Sequence, residues 1–494
     1  MKYLVLMPFL FFYYSCCVAQ STLSQQSEPE RLDSLFTVAQ SVFHLPGFSI
    51  GVIKDGKRIF AKGYGKKELG KQAEVITSSV FHMASLSKPF VALAILQLSE
   101  AGKLKLDEHL TTYIPYFRMA DDRYKQVTIR QMLSHISGFP DVADYGWKNP
   151  KYDLKARERY IKDSISHEML LSTPGQDFSY SNMAYDVLAE VISIVSGVVF
   201  EDYMQIHIFK PCGMTHTTFL GPETNSSLQT SPHYLGDKGR IVPSPVYPYN
   251  RVHAGSSTLH SNVEDMLLWL GMLMNGGKLN GHQVISKENL QLMLSTQHKF
   301  DTQSGMGLGW FIEMREGKTF ISHGGSDVGY STYMAIIPQE KTAIILMSNF
   351  YRFVPVDELA ALAMNILHHQ PLRRLKTPIA LAIAPVINDE GIIKARQLYT
   401  KLKKDHQETY NFDESSLITL GYSYYYLGDL QKAIDVLCLN AEIYPKSVWN
   451  LQTLGEVYSL AGAKKKAAAT FQKALELDPE CAPCKLGLKN TAKD

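Results

Sequence analysis

The 494-residue chain predicts an α+β fold: an antiparallel sheet with helices packed on it, followed by a small all-α tail. Three observations carry this. Strand-like runs stand at both ends of one long region, helical periodicity fills its middle, and a repeat of period 34 occupies the C-terminal part. Composition allows a large core, with 45% hydrophobic residues. The formal net charge of +2 points to no nucleic-acid or strongly anionic partner.

The first stretch, "MKYLVLMPFLFFYYSCCVAQ", opens with Lys2, stays apolar over residues 3 to 14 and closes on the small residues of "CVA". That is the layout of a secretory signal peptide over 1–19, cleaved near Ala19. The apolar run falls short of the roughly 20 residues a spanning helix needs. Cys16 and Cys17 raise lipid anchoring as the second reading, although "YYSC" matches a lipidation box poorly. The expectation is an exported protein, periplasmic or secreted, with no integral membrane segment after cleavage.

"GFSIGVIKDGKRIFAKGYG" (47 to 65) sets two β-rich runs around Asp55-Gly56, a hairpin signal. The pattern turns helical from 85 to about 102 and again in "AYDVLAEVISIVSG" (184 to 197). Strands return with "GWFIEMREGKTFISH", "YSTYMAIIP" and "TAIILMSNF", the last ending at Phe350. The first and last strands are therefore expected to meet in one sheet, within a domain spanning 30–367. "HHQPLRRLKTPIALAIAPVINDE" (368–390) reads as a connector.

In the tail (391–494), Leu420, Gly421, Tyr424, Gly428, Ala433 and Pro445 recur as Leu454, Gly455, Tyr458, Gly462, Ala467 and Pro479, each pair 34 apart. Small residues stand where paired helices touch and Pro ends the second helix. The segment resembles two tetratricopeptide repeats, about 414–447 and 448–481, with "GIIKARQLYTKL" (391 to 402) as a preceding helix. Two repeats bury little core alone, so the first tail helices are expected to lean on the main domain through the connector. The polar "KLGLKNTAKD" (485 to 494) is expected to solvate the far end, leaving the concave face for a partner peptide or a second copy of the chain. Cys481 and Cys484, in "CAPC", have no second CxxC and no nearby histidine, so they read as an incidental disulfide at a frayed helix end.

The chemistry starts in "ASLSKPF" (84 to 90). Proline is tolerated in a helix's first turn, so Pro89 suggests a helix beginning at about Ser85, with the Ser85 hydroxyl at the positive end of the dipole. Lys88 then lies on the same face, within reach of that hydroxyl. A serine nucleophile also needs proton-transfer partners and oxyanion donors. Tyr180-Ser181-Asn182 stands directly before a helix, and His323-Gly324-Gly325 ends a strand. Taken singly, these are a serine cap, an asparagine cap and a turn. The order of the three is what carries information.

That order resembles the penicillin-recognising serine hydrolases, in the branch of class C β-lactamases, D-alanyl-D-alanine carboxypeptidases and related esterases and D-aminopeptidases. The likeness spans roughly 30 to 365 and includes "TIRQMLSHISGFPD", "IFKPCGMTHTTF", "AGSSTLHSNVEDM" and "GLGWFI". The resemblance implies a β-lactamase-like fold, with Ser85 as acylated nucleophile, Lys88 as the cation that activates it and Tyr180 as proton relay. It also implies that Asn182 orients Lys88 and the substrate amide, and that the backbone N–H groups of Ser85 and Ser326 form the oxyanion hole. Whether Lys88 or Tyr180 takes the proton first stays open. His323 and Gly324 stand where β-lactamases of this branch carry Lys and Thr, which favours a peptidase or esterase over an efficient β-lactamase.

His135, in "LSHISGF", is expected to be packed and hydrogen-bonded. The histidines show no metal spacing and no Gly-rich phosphate loop stands out, so the sequence implies no cofactor and no metal. The reading is an exported serine hydrolase acting on a small-molecule or peptide substrate. Its alternative is a catalytically idle relative that binds peptides or partners through the tail.

Overall fold

The computed structural model describes residues 26–236 and 238–491. The signal expected over 1–19, with Cys16 and Cys17, lies outside the described residues. Helix α1 (Glu28–Val42) opens on a capping box between Ser27 and Glu30. The main sheet is antiparallel and has eight strands: β1 (Gly47–Lys54), β2 (Lys57–Gly65), β3 (His298–Lys299), β4 (Ser304–Met306), β5 (Phe311–Arg315), β6 (Lys318–Asp327), β7 (Tyr330–Ile337) and β8 (Thr342–Ser348). Their order is β2-β1-β8-β7-β6-β5-β4-β3. First and last strands meet as expected, with Phe48 opposite Ser348 and Ile50 opposite Leu346. At the β1–β2 turn Asp55 and Gly56 have φ of 52° and 75°, the paired left-handed residues a tight hairpin requires.

Alternate residues of the inner strands feed two cores. Met334, Ile336, Ile345 and Met347 join the core that holds α2 (Ser87–Glu100), α3 (Asn182–Ser196) and α4 (Val263–Met274). Ala335, Ile337, Ile344 and Leu346 join the other, with α1 and α5 (Val356–Leu367). Both faces are covered, which is why β8 reads as an unbroken apolar run.

The tail consists of α6 (Ile379–Glu390), α7 (Ile392–Asp405), α8 (Glu414–Tyr426), α9 (Leu430–Ile443), α10 (Val448–Leu460), α11 (Lys464–Leu477) and α12 (Ala482–Thr491). The stretch read as a connector over 368–390 is therefore helical in its second half, despite Pro385 inside α6. Proline removes one helical hydrogen bond. Burial outweighs that loss, since Ile379, Ile383, Ala384 and Ile387 share the second core with Leu359 and Ala363 of α5 and with Leu417, Leu420 and Tyr424 of α8. The far end has its own small core of Leu451, Ala467, Phe471, Ala474, Cys481 and Cys484. Cys481 and Cys484 are disulfide-bonded. They do not sit at a frayed end: residues 485–491 of the polar stretch expected to solvate the terminus belong to α12, which packs Gly487 on the Phe471 ring while Lys485 and Lys489 stay exposed. Among the described residues no single helix is long and apolar enough to cross a membrane.

Candidate active site

Helix α2 begins at Ser87, two residues later than Pro89 suggested, so Ser85 lies in the turn before it. The N–H groups of Leu86, Ser87 and Lys88 bond to the carbonyls of Met83, Ala84 and Ser85, an i→i+3 winding that tightens the approach. Ala84 is held at φ 50°, a left-handed conformation that costs a non-glycine residue roughly 1–3 kcal/mol. The Ser87 hydroxyl braces this turn, donating to the Ala84 carbonyl at 2.7 Å and accepting the Leu259 N–H at 3.0 Å. Within 81–90 only Ser85 keeps partial exposure.

Lys88 is completely buried. Its Nζ donates to Ser85 Oγ at 2.9 Å, to Asn182 Oδ1 at 2.6 Å and to the Ser256 carbonyl at 2.9 Å. Burial pushes its pKa down to about 8, against the pull of the Asp141, Asp186 and Asp327 carboxylates. The Ser256 carbonyl comes from "AGSSTLHSNVEDM", which pairs with the nucleophile segment through Met83 N–H to Leu259 and an Ala84–Thr258 bridge.

Asn182 is the first residue of α3, capped by Ser181. Its Nδ2 and backbone N–H both donate to Asp141 Oδ1, at 2.9 and 2.8 Å. This fixes the amide so that Oδ1 faces Lys88. Burial raises the Asp141 pKa, and the hydrogen bonds from Asn182 and Val142 restrain the rise.

Tyr180 lies beneath the Lys88 ammonium, with Nζ 4.9 Å from its ring centroid. Burial raises its pKa, and a hydrogen bond with Ser85 brings it part of the way back. His135 stacks on Tyr180, centroids 4.2 Å apart, and its Nδ1 accepts the Ser181 N–H at 3.0 Å. It is packed and hydrogen-bonded, as expected.

The third motif runs along β6. His323 is buried, and its Nδ1 lies 2.7 Å from the Gly324 carbonyl, which can only accept. Nδ1 therefore carries the proton, and Nε2, buried and without a hydrogen-bond partner among the described residues, bears a lone pair. Burial and the Lys88 charge push the His323 pKa down to about 3. This imidazole is neutral. Gly325 is required by close approach: a Cβ there would stand 2.5 Å from the Met83 carbonyl and 3.1 Å from the Ser85 nitrogen. Ser326 follows, its Oγ accepting from Arg352 Nε at 3.4 Å.

The structure thus gathers Ser85, Lys88, Tyr180, Asn182, His323, Gly325 and Ser326 around one space, with the exposed Gly324 at its edge. Sequence reasoning missed the anchors behind them. Asp141 stands inside "TIRQMLSHISGFPD" but meets Asn182 across 41 positions. Asp186 pairs with His253 at 2.7 Å, and Asp327 accepts from His82 at 2.8 Å. Among the described residues no group of three His, Cys, Asp or Glu side chains gathers in the manner of a metal site.

The family model for Beta-lactamase matches residues 33–368, and one for a tetratricopeptide repeat matches 450–481. The chain belongs to the Beta-lactamase family. This membership, covering most of the chain and every residue of the site, places it among serine hydrolases related to penicillin-binding proteins. "Protein flp" of Staphylococcus aureus (strain MW2) is 27% identical over 322 residues, 65% of this chain and 63% of that protein. "Penicillin-binding protein 4*" of Bacillus subtilis (strain 168) is 27% identical over 362 residues, covering 70% of this chain and 78% of its own. The chain thus spans under two thirds of the length of Protein flp. Among solved structures, the octameric penicillin-binding protein homologue from Pyrococcus abyssi is similar at a TM-score of 0.61 and 26% identity, over 69% of this chain and 77% of that one.

Proposed function

We propose that the protein is an exported serine hydrolase working through an acyl-enzyme on Ser85. Its substrate would be a peptide containing D-amino acids, an ester or a β-lactam-like compound, with peptidase or esterase chemistry ahead of efficient β-lactam hydrolysis. The catalytic domain spans 30–367 and the repeat tail 391–494. One observation carries the reading: Lys88 Nζ stands 2.9 Å from Ser85 Oγ with its pKa brought to about 8. About a tenth of such lysines are uncharged at pH 7, enough for a general base.

In the proposed cycle neutral Lys88 takes the Ser85 proton as Oγ attacks the substrate carbonyl. The oxyanion is held by the Ser85 and Ser326 amides. Tyr180, neutral because of its burial, donates a proton to the leaving group and is re-protonated through Lys88. Water then hydrolyses the ester on Ser85. The neutral His323 supports the preference against β-lactams, because it places no charge where β-lactamases of this branch carry a lysine. Export is read from the signal-like layout of the first 19 residues, and a Cys481–Cys484 disulfide is compatible with an oxidising destination.

Labelling with a fluorophosphonate and a fluorescent penicillin tests this. Adducts are expected on Ser85 and none on the Ser85→Ala protein. Labelling elsewhere, or unchanged labelling in the variant, overturns the mechanism and leaves the scaffold reading. Nitrocefin hydrolysis is expected to fall well below a kcat/KM of about 10⁷ M⁻¹s⁻¹. Export is checked by the N-terminus of the mature protein, expected near residue 20.

A further inference from the structure

The site as described lacks a cation for an anionic substrate. Lys88 is buried and holds three acceptors, and His323 is neutral. An exposed cation nevertheless stands at its edge. Arg352, in the loop after β8, reaches Ser326 Oγ with Nε at 3.4 Å. Its backbone is fixed: φ is 52°, and its N–H donates to Ser331 Oγ at 2.9 Å, a hydroxyl that itself donates to the Phe350 carbonyl.

The guanidinium lies between two rings, Cζ being 5.3 Å from the centroid of Tyr351 and 5.5 Å from that of Tyr422. Tyr351 belongs to the catalytic region. Tyr422 belongs to α8, the first helix of the first repeat in the tail. The tail ring is itself held, since the Thr453 hydroxyl of α10 donates to its Oη at 3.3 Å. One turn on, Tyr426 stacks on Tyr422 and meets Tyr351 edge-on, with centroids 6.5 and 5.8 Å apart. Asp327 also attracts Arg352, but that carboxylate is already engaged by His82 and Ser257.

We infer that the repeat tail forms a wall of the substrate site: Tyr422 holds the Arg352 guanidinium beside Ser326, where it recognises a carboxylate on the substrate's leaving side. This rests on the proposed hydrolase reading for the substrate's placement. A guanidinium suits the task because it stacks by its faces, stays charged, and still presents N–H groups in its plane for a two-point grip on a carboxylate. Arg352 is then a specificity residue and Tyr422 a positioning residue, and the tail acts on the substrate and not only on partners.

The test measures binding, so it does not depend on turnover. Full-length protein carrying Ser85→Ala is titrated with N-acetyl-D-alanyl-D-alanine and with the same peptide as its C-terminal amide. The acid is expected to bind at least about tenfold more tightly than the amide. Adding Arg352→Gln, a change at an exposed side chain, should bring the two within about twofold. Tyr422→Ala should cut the preference at least about threefold, whereas Tyr422→Phe, which keeps the ring face, should retain it. Equal affinities in the parent, or a preserved preference in Arg352→Gln, overturns the inference. An equal loss in Tyr422→Phe and Tyr422→Ala overturns the role of the tail ring. Absent Ser85 labelling sinks the hydrolase reading by a separate measurement, leaving this ratio to judge Arg352.

Discussion

The Ser85 side of the site and the strand facing it are held on different terms. On the Ser85 side each proton of the Lys88 ammonium has an acceptor, and the acceptor amide of Asn182 is fixed in turn by Asp141. On the β6 side His323 keeps a buried lone pair without a partner among the described residues, and the nearby cation, Arg352, comes from another loop and rests on a tail ring. A satisfied buried network is rigid, whereas an unmet acceptor costs desolvation energy until a donor arrives. In the proposed mechanism the proton-handling half is thus complete before substrate binds, and selectivity falls to the recognition half.

The largest break in this contrast is Lys88→Ala. Removing a positioned proton acceptor is expected to slow fluorophosphonate labelling of Ser85 by at least about 100-fold. The pH profile sharpens it. The reactive form of Lys88 is the neutral one, so labelling should climb as pH rises through about 8 and then level. Burial raises the Tyr180 pKa above its ordinary value, so a phenolate base would instead keep the rate climbing beyond pH 10. Continued climbing there would transfer the first proton step to Tyr180.

The contrast also explains what was legible in the sequence. Ser85, Lys88, Tyr180, Asn182 and His323 lie in short contiguous motifs, and a turn or strand end places them almost unaided. The first and last strands could be matched because alternate burial leaves its period in the sequence. Asp141 and Arg352 act through contacts with Asn182 and Tyr422 that no local pattern encodes. The start of α2 was misjudged because Pro89 fits the third helical position as well as the fourth, and only the i→i+3 turn at Ala84 decides. Helix α6 was hidden by Pro385, whose penalty is outweighed by a core contributed from both ends of the chain.

Gly325→Ala comes next in size. Its Cβ would meet backbone at Met83 and crowd the Ser85 nitrogen, so the nucleophile turn must shift. A displacement near 1 Å can cost about 100-fold, and a drop in Ser85 labelling of about that size is expected. An unaffected rate would show that the strand and the turn are not rigidly coupled.

Asp141→Asn attacks the network from behind. Neutralising this carboxylate removes one of the charges that hold the Lys88 pKa up, so that pKa should fall below about 8. The alkaline rise in labelling should then move to lower pH. The Asn182 amide also loses its charged acceptor, and the plateau rate should drop by about tenfold, as a lost charge-assisted bond allows. A profile unmoved on the pH axis would mean that Asp141 is structural only.

The smallest effect is expected one residue from one of the larger ones, at Gly324. Successive strand residues point to opposite faces, so a Cβ at Gly324 faces away from the Ser85 turn. There its nearest neighbour is a Tyr333 ring carbon at 3.6 Å, ordinary contact. Gly324 also avoids positive φ, so alanine should stabilise the protein by about 0.4–1 kcal/mol through the unfolded chain. Gly324→Ala is therefore expected to raise the melting temperature slightly and to cost Ser85 labelling no more than about threefold. If it matched the loss at Gly325, the two faces of β6 would be equally engaged with the nucleophile, and the separation between proton handling and recognition would fail at this strand.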